Sequence, residues 1–360
     1  MTMEILSTWT DGRVRAAYRL LPGREEGACI AMNTTMTEEN LTMLTDFYEL
    51  TMGNGYWLKG LSTKQTYFDI FFRSVPDGGG YAIAGGLSDI IRYVEALHFS
   101  DADIAYLRGK RIFDEGFLTY LRNFRFTGDI YAVPEGTPVF PYEPIVTVKA
   151  PAVQAQLMET FLLLCVNHQS SIATKANRIV RAAKGRPVME FGSRRAQGIS
   201  AAVIGARAAY IGGCVATACT LTDERYGVPA AGTMAHSWVQ MFESEYDAFK
   251  AYTETYPNNA ILLVDTYNTL RSGIPNAIRV FQEYLASGRT MANFGIRMDS
   301  GDLAYLTKKA RRMLDEAGLK EAKIVVSNAL DEYLINDLLQ QGAVIDSFGV
   351  GERLITSSSS

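Results

Sequence analysis

The feature that most constrains the fold is an alternation in the second half of the chain. Short apolar runs at 187–191, 213–218, 230–235, 260–264, 293–298, 323–326 and 344–348 are separated by segments of helical pattern. Strands separated in this way do not pair as hairpins, so they run parallel, joined by crossover helices. Two of the helices are well marked. Ser272-Gly-Ile-Pro opens one with Ile274, Ile278, Phe281 and Leu285 in register, and Ser300-Gly-Asp opens another with Leu303, Leu306, Ala310 and Leu314. Polar or glycine clusters close the strands: FGSRR, AHS, DTYN, RMDSGD, SNALDE and GVGER. A (β/α) barrel builds its site from many strand ends, whereas an open sheet concentrates its ligand at one switch point. Six decorated ends favour an α/β fold of barrel type. Seven runs rather than eight make that barrel irregular, with an open sheet as the alternative.

The first half has a different texture. Residues 1–35 hold no sustained period and read as an extension outside the fold, expected to be disordered. From 36 to 150 the pattern is α+β: helical spacing at 41–58, weakened by Gly53 and Gly55, a strand at 64–73, and helical patterns at 87–97 and 114–124. Pro134, Pro138, Pro141 and Pro144 divide 125–151 into short strands and turns. Pro151 opens a stretch free of glycine and proline up to Gly185, with Leu157, Phe161, Leu164, His168 and Ile172 on one face. It predicts a long buried helix or a pair of helices, and the second domain is taken as 151–360.

Composition narrows the function. The 360 residues are 48% hydrophobic and 21% charged, which suits a folded globular chain. A net charge of −4 lacks the basic excess that phosphate-backbone binding needs, so nucleic acid is excluded as the main partner. The uncharged stretch 208–222 is too short to span a bilayer. The four cysteines form no C-x-x-C, no H-E-x-x-H occurs, and the N-terminus lacks a secretory apolar core. Reduced, structural thiols fit a cytoplasmic protein.

The strand ends carry the chemistry. Arg194, Arg195, Arg297 and Arg353 are available for anions, Asp265, Asp299 and Asp302 for a divalent cation, and Gly349 and Gly351 offer backbone N–H groups. Mg²⁺ is commonly held by one or two carboxylates together with substrate phosphates, and arginine's fork matches carboxylate and phosphate oxygens. Asp299 or Ser300 could equally be a helix cap, and the Asp265 run an ordinary turn. The glycine-rich segment at 76–86 lacks the Lys-Ser/Thr of a phosphate loop and reads as a turn. Of the three histidines, His98 reads as a surface residue and His168 as a core residue, while His236 ends an Ala/Gly-rich strand beside the acidic cluster.

Six segments in this order, TDFYELTMGNGYW (45–57), EFGSRRAQG (190–198), AGTMAHSW (231–238), LLVDTYNT (262–269), IRMDSGDL (296–303) and FGVGERL (348–354), resemble the nicotinate phosphoribosyltransferases. The resemblance implies a type II phosphoribosyltransferase barrel that moves the 5-phosphoribosyl group of phosphoribosyl pyrophosphate to nicotinate. It implies ATP as co-substrate, Mg²⁺ as cofactor and a homodimer with a shared site. It further implies that His236 is phosphorylated and that Asp265 and Asp299 lie near the ribose and the metal. Gly349 and Gly351 would hold the 5-phosphate, Phe191 and Tyr48 would sandwich the pyridine with Tyr48 supplied by the other subunit, and Arg194 and Arg297 would face its carboxylate. Ser300 and Gly301 join the substrate-binding set.

Family members continue beyond the last motif, so the chain is expected to be C-terminally shortened, and 212–220 matches only loosely. Two other readings stay open: a nicotinamide-using enzyme, disfavoured because 212–220 has no acidic residue, and a catalytically silent nucleotide-binding relative.

Overall fold

A computed structural model describes residues 4–7, 16–19, 40–75 and 78–357. The chain forms two compact units, Met1–Thr34 and Thr35–Ser360. In the first, Glu4–Ser7 and Ala16–Arg19 pair as antiparallel strands; the rest of the anticipated 1–35 extension lies outside the described residues.

The second unit holds two hydrophobic cores. One gathers side chains from Leu50 to Val166, among them Phe117, Leu118 and Leu121, all fully buried. It packs the helices Phe47–Leu58, Leu87–Ala96, Asp101–Gly109 and Glu115–Arg122 against an antiparallel sheet whose central strand, Val146–Pro151, lies between Gln65–Ile70 and Asp129–Ala132. Gly53, which weakened the helical reading, has a packing reason: a Cβ there would lie 3.1 Å from the Phe117 ring. The helix Asp101–Gly109 was not anticipated. Its signal was the capping box, in which the Ser100 hydroxyl accepts from the Asp103 N–H and the Asp103 carboxylate accepts from the Ser100 N–H.

The segment after Pro151 is a pair of helices, Ala152–Gln156 and Glu159–Ala182. Leu157, Phe161 and Ile172 are buried as expected, but Leu164 is half exposed, while Leu162, Val166, Ala176 and Ile179 also point inward. Other residues turn inward because Gly85 and Gly86 bring the first domain's backbone onto this helix; a Cβ on Gly86 would sit 2.7 Å from the Cys165 carbonyl oxygen. The glycine-rich segment is thus a turn that ends in a close-packing site.

The second core fills a six-stranded parallel sheet. Its order is Ala260–Leu263, Phe294–Met298, Lys323–Asn328, Ser347–Val350, Val188–Glu190, Ala216–Thr217. The earliest strand of this half therefore pairs with the latest, Val188 opposite Phe348, which is the neighbour relation of a curling wall. Expectation and structure part at 230–235. Here a single parallel bridge, Thr217 to Ala230, replaces the anticipated strand. Pro229 has no N–H to donate, Gly232 has no side chain to pack, and the Thr233 hydroxyl is engaged by Arg297. The wall described is an incomplete barrel. Among the described residues no helix is long and apolar enough to cross a membrane.

A buried ion pair ties the two halves together. Arg207, on the helix Ile199–Ile211, holds both carboxylate oxygens of Glu135 at 3.0 and 2.6 Å. Burial pushes the Glu135 carboxyl up, but the Arg207 guanidinium and the Gly86 and Ser88 amides outweigh it and hold the group below its usual range. Arg207→Ala leaves that carboxylate buried without its cation, and should cost about 3–5 kcal/mol of stability by denaturant titration. Adding Glu135→Leu should recover much of the loss; an unchanged midpoint in the single variant would refute the pair's role.

Candidate active site

Three strand ends meet through two carboxylates. Asp265 lies two residues beyond Ala260–Leu263, and its Oδ2 accepts the Asp299 backbone N–H at 2.8 Å and the Ser300 hydroxyl at 2.6 Å. Asp299, just past Phe294–Met298, in turn accepts from the Ser327 hydroxyl at 2.7 Å through Oδ1. The ends of strands 260–263, 294–298 and 323–328 are thereby locked in register, and two carboxylates face one space. Asp265 Oδ1 is buried and has no hydrogen-bond partner. A buried anionic oxygen without a donor is costly unless a cation meets it.

His236 begins the short helix His236–Gln240 beside this pair. Its Nδ1 lies 3.1 Å from the Thr266 hydroxyl, and its Nε2 lies 3.9 Å from Asp299 Oδ2. The imidazole is about two-fifths exposed, so a ligand can reach it.

Arg297 is the fourth residue of Phe294–Met298, the one position of that strand not fully buried. One guanidinium nitrogen donates to the Thr233 hydroxyl, and Nε is buried without an acceptor. Burial draws its pKa down, Asp299 and Asp265 act against that, and Arg194 adds to it. Arg194 and Arg297 are therefore close enough to repel, and the repulsion is relieved by an anion between them.

Phe191 crosses the mouth of this sheet. Its backbone N–H donates to the Val350 carbonyl at 2.8 Å, and its ring lies over Gly349, where a Cβ would come within 2.4 Å of Cδ2. Gly349 is therefore required by the aromatic ring above it, whatever its N–H binds. Glu190 anchors the turn beneath: fully buried, it accepts from the Gly192 N–H and, at 2.6 Å, from the Thr217 hydroxyl. Burial pushes its carboxyl up, against those two hydrogen bonds.

Of the anticipated residues, the structure links His236, Asp265, Asp299, Ser300 and Arg297 with Arg194, and pairs Phe191 with Gly349 and Gly351 at the adjoining strands. Gly301 adopts φ +82°, a turn that glycine makes without strain, directly after Ser300. Tyr48 belongs to the other domain, half exposed, donating to Glu159 at 2.7 Å. Two candidates have different work. Asp302, not Asp299 or Ser300, caps Leu303–Glu316 by accepting from Tyr305 N–H at 3.0 Å. Arg353 is paired with Asp331. Thr233, Thr266 and Ser327 were not singled out from sequence, although Thr266 directly follows Asp265 and Ser327 is next to last in the strand Lys323–Asn328. Their role as hydroxyl partners is a contact, which spacing does not encode.

No group of three or more His, Cys, Asp or Glu side chains placed to hold a metal occurs among the described residues. Two aspartates that offer hard oxygen ligands, one of them unpartnered, nevertheless suit a Mg²⁺ that takes its remaining ligands from phosphates and water.

Residues 43–167 match the nicotinate phosphoribosyltransferase (NAPRTase) N-terminal domain, and 187–359 match the nicotinate phosphoribosyltransferase (NAPRTase) family. The chain is 49% identical over 320 residues to a nicotinate phosphoribosyltransferase of Bacillus subtilis, covering 89% of this chain and 64% of that protein. It is 46% identical over 315 residues to one of Mycobacterium tuberculosis, covering 88% and 67%. It spans about two thirds of the length of these relatives. Among solved structures, human nicotinic acid phosphoribosyltransferase superposes with a TM-score of 0.78 at 31% identity, over 85% of this chain and 72% of that one.

Two outcomes test the packing described. Gly349→Ala should displace Phe191 and destabilise the protein by about 1–3 kcal/mol, read as a lowered denaturation midpoint; an unshifted midpoint would show that the ring is not confined. Glu190 tests the pH dependence. Its raised folded pKa means that the folded chain binds the proton more tightly than the unfolded one, so this group's contribution is greatest in acid and declines as pH rises past the usual carboxylate range. Glu190→Gln stays neutral, can accept from Gly192 and can donate to Thr217. Its melting temperature should therefore gain on the parent's between about pH 4 and about pH 8, and a constant difference would contradict the assignment.

Proposed function

Because the chain belongs to the nicotinate phosphoribosyltransferase family, we propose that it transfers the 5-phosphoribosyl group of phosphoribosyl pyrophosphate to nicotinate, releasing pyrophosphate, in NAD salvage. The observation that carries this reading is Arg297, largely desolvated near Asp265, Asp299 and Arg194, with a buried Nε that has no acceptor. A planar carboxylate from a pyridine supplies that acceptor and separates the two guanidinium groups.

The reacting nucleophile is the substrate's ring nitrogen. It forms a bond to the ribosyl C1 as the bond from C1 to the pyrophosphate oxygen breaks, and the electron pair leaves with pyrophosphate. Positive charge builds on the ribose in the transition state, where Asp265 and Asp299 stand as fixed anions. Phe191 offers a flat face for the pyridine. Mg²⁺, held by Asp265 and Asp299, would neutralise the leaving pyrophosphate. Ser300 and Gly301 border the acidic pair, and Gly349 and Gly351 are assigned to the 5-phosphate. His236 accepts the γ-phosphoryl group of ATP with release of ADP, which couples ATP hydrolysis to transfer. Tyr48, exposed on the other domain, closes the pyridine site of a second subunit in a homodimer. The curled sheet is part of an irregular (β/α) barrel, and the protein acts in the cytoplasm.

The test is a product assay with nicotinate, nicotinamide and quinolinate, each with and without ATP, for the parent and His236→Ala. Nicotinate alone should give nucleotide, with ATP stimulation lost in the variant. Turnover of nicotinamide alone would reject the substrate, and undiminished stimulation in His236→Ala would reject the phosphohistidine.

A further inference from the structure

We propose that Thr266 is a positioning residue for His236: its hydroxyl holds Nδ1 and so turns Nε2 toward the Asp299 carboxylate. The geometry is asymmetric across the ring. Nδ1 stands 3.1 Å from Thr266 Oγ1, within hydrogen-bond distance, whereas Nε2 stands 3.9 Å from Asp299 Oδ2, beyond it. One nitrogen is engaged and the other faces the site with room for an incoming group.

Thr266 is well placed to hold an orientation. It directly follows Asp265, whose carboxylate is fixed by the Asp299 N–H and the Ser300 hydroxyl, so the backbone that carries the hydroxyl is anchored. His236 starts a helix of only five residues, which restrains its ring little by itself. Which ring nitrogen bears the proton is set by the bond the other makes. A threonine hydroxyl can donate or accept; the proposal has it accept from Nδ1–H, which leaves the lone pair on Nε2.

The proposal deepens the phosphohistidine reading and rests on it for its kinetic part. Nε2 attacks the γ-phosphorus of ATP, the N–P bond forms, and the P–O bond to ADP breaks with its electron pair leaving on ADP. The Nδ1 proton stays on the ring, donated to Thr266. No other reactant is needed.

The experiment compares the parent with Thr266→Val, which keeps the shape and removes the hydroxyl, and with Thr266→Ser, which restores it. The chain has three histidines, so ¹⁵N-histidine labelling with a His236→Asn control assigns the His236 signals. In its neutral form, the parent's His236 should be mainly the Nδ1–H tautomer, and ATP should phosphorylate Nε2. Thr266→Val should give mixed tautomers and lower the ATP-stimulated rate about tenfold, the scale of one lost hydrogen bond. Its KM for ATP should stay within about twofold, since Thr266 is not assigned to nucleotide binding. Thr266→Ser should recover both tautomer and rate. A parent in the Nε2–H form, or a folded Thr266→Val with unaltered tautomer, would overturn the proposal. Should the parent show no ATP stimulation at all, the phosphohistidine reading falls, while the tautomer comparison still decides the role of Thr266.

Discussion

The candidate site depends on one carboxylate. Asp265 Oδ2 binds the backbone N–H of Asp299 and the hydroxyl of Ser300, and Asp299 then reaches Ser327, so a chain of charge-assisted hydrogen bonds ties three neighbouring parallel strands at their C-terminal ends. Nothing in a parallel ladder fixes where the loops beyond it point. That chain does so, and it does so while leaving Asp265 Oδ1 without a partner and Arg297 Nε without an acceptor. The unsatisfied atoms are what a ligand would complete, and their cost to the unliganded fold is the reason to read them as functional.

Around this centre the scaffold is built for rigidity. The Arg207–Glu135 pair couples the first domain to the helix that follows the Phe191 turn, and Glu190 pins the turn itself to Thr217. Gly349 and Gly86 remove side chains where Phe191 and the Glu159–Ala182 helix must approach closely. These contacts have a common logic: the turn that carries Phe191 and Arg194 is tied by buried polar groups to elements of regular structure.

Much of this was legible in the chain. Parallel topology followed from the alternation of apolar runs with helices, because helical crossovers leave no other pairing, and the polar strand ends pointed to the candidate site because a packed sheet leaves only its ends free. The His, Asp and Arg positions were legible for the same reason. Less legible were contacts between side chains distant in sequence. The hydroxyls of Thr233, Thr266 and Ser327 are common residue types whose role arises from a partner 64, 30 or 28 positions away. The inward face of the Glu159–Ala182 helix was misread at Leu164 because the packing neighbour, the Gly85–Gly86 backbone, presents no hydrophobic signal.

What the amino-acid order alone determined is the alternation of strands with helices, their parallel arrangement and the candidate side chains at the strand ends, since periodicity and residue type are local properties. What only the tertiary structure decided is which aspartate caps a helix and which faces the site, that the run at 230–235 makes a bridge instead of a strand, and that Gly349 is shaped by Phe191. Those outcomes turn on distances of a few tenths of an ångström between atoms from different strands, and no local pattern carries that information.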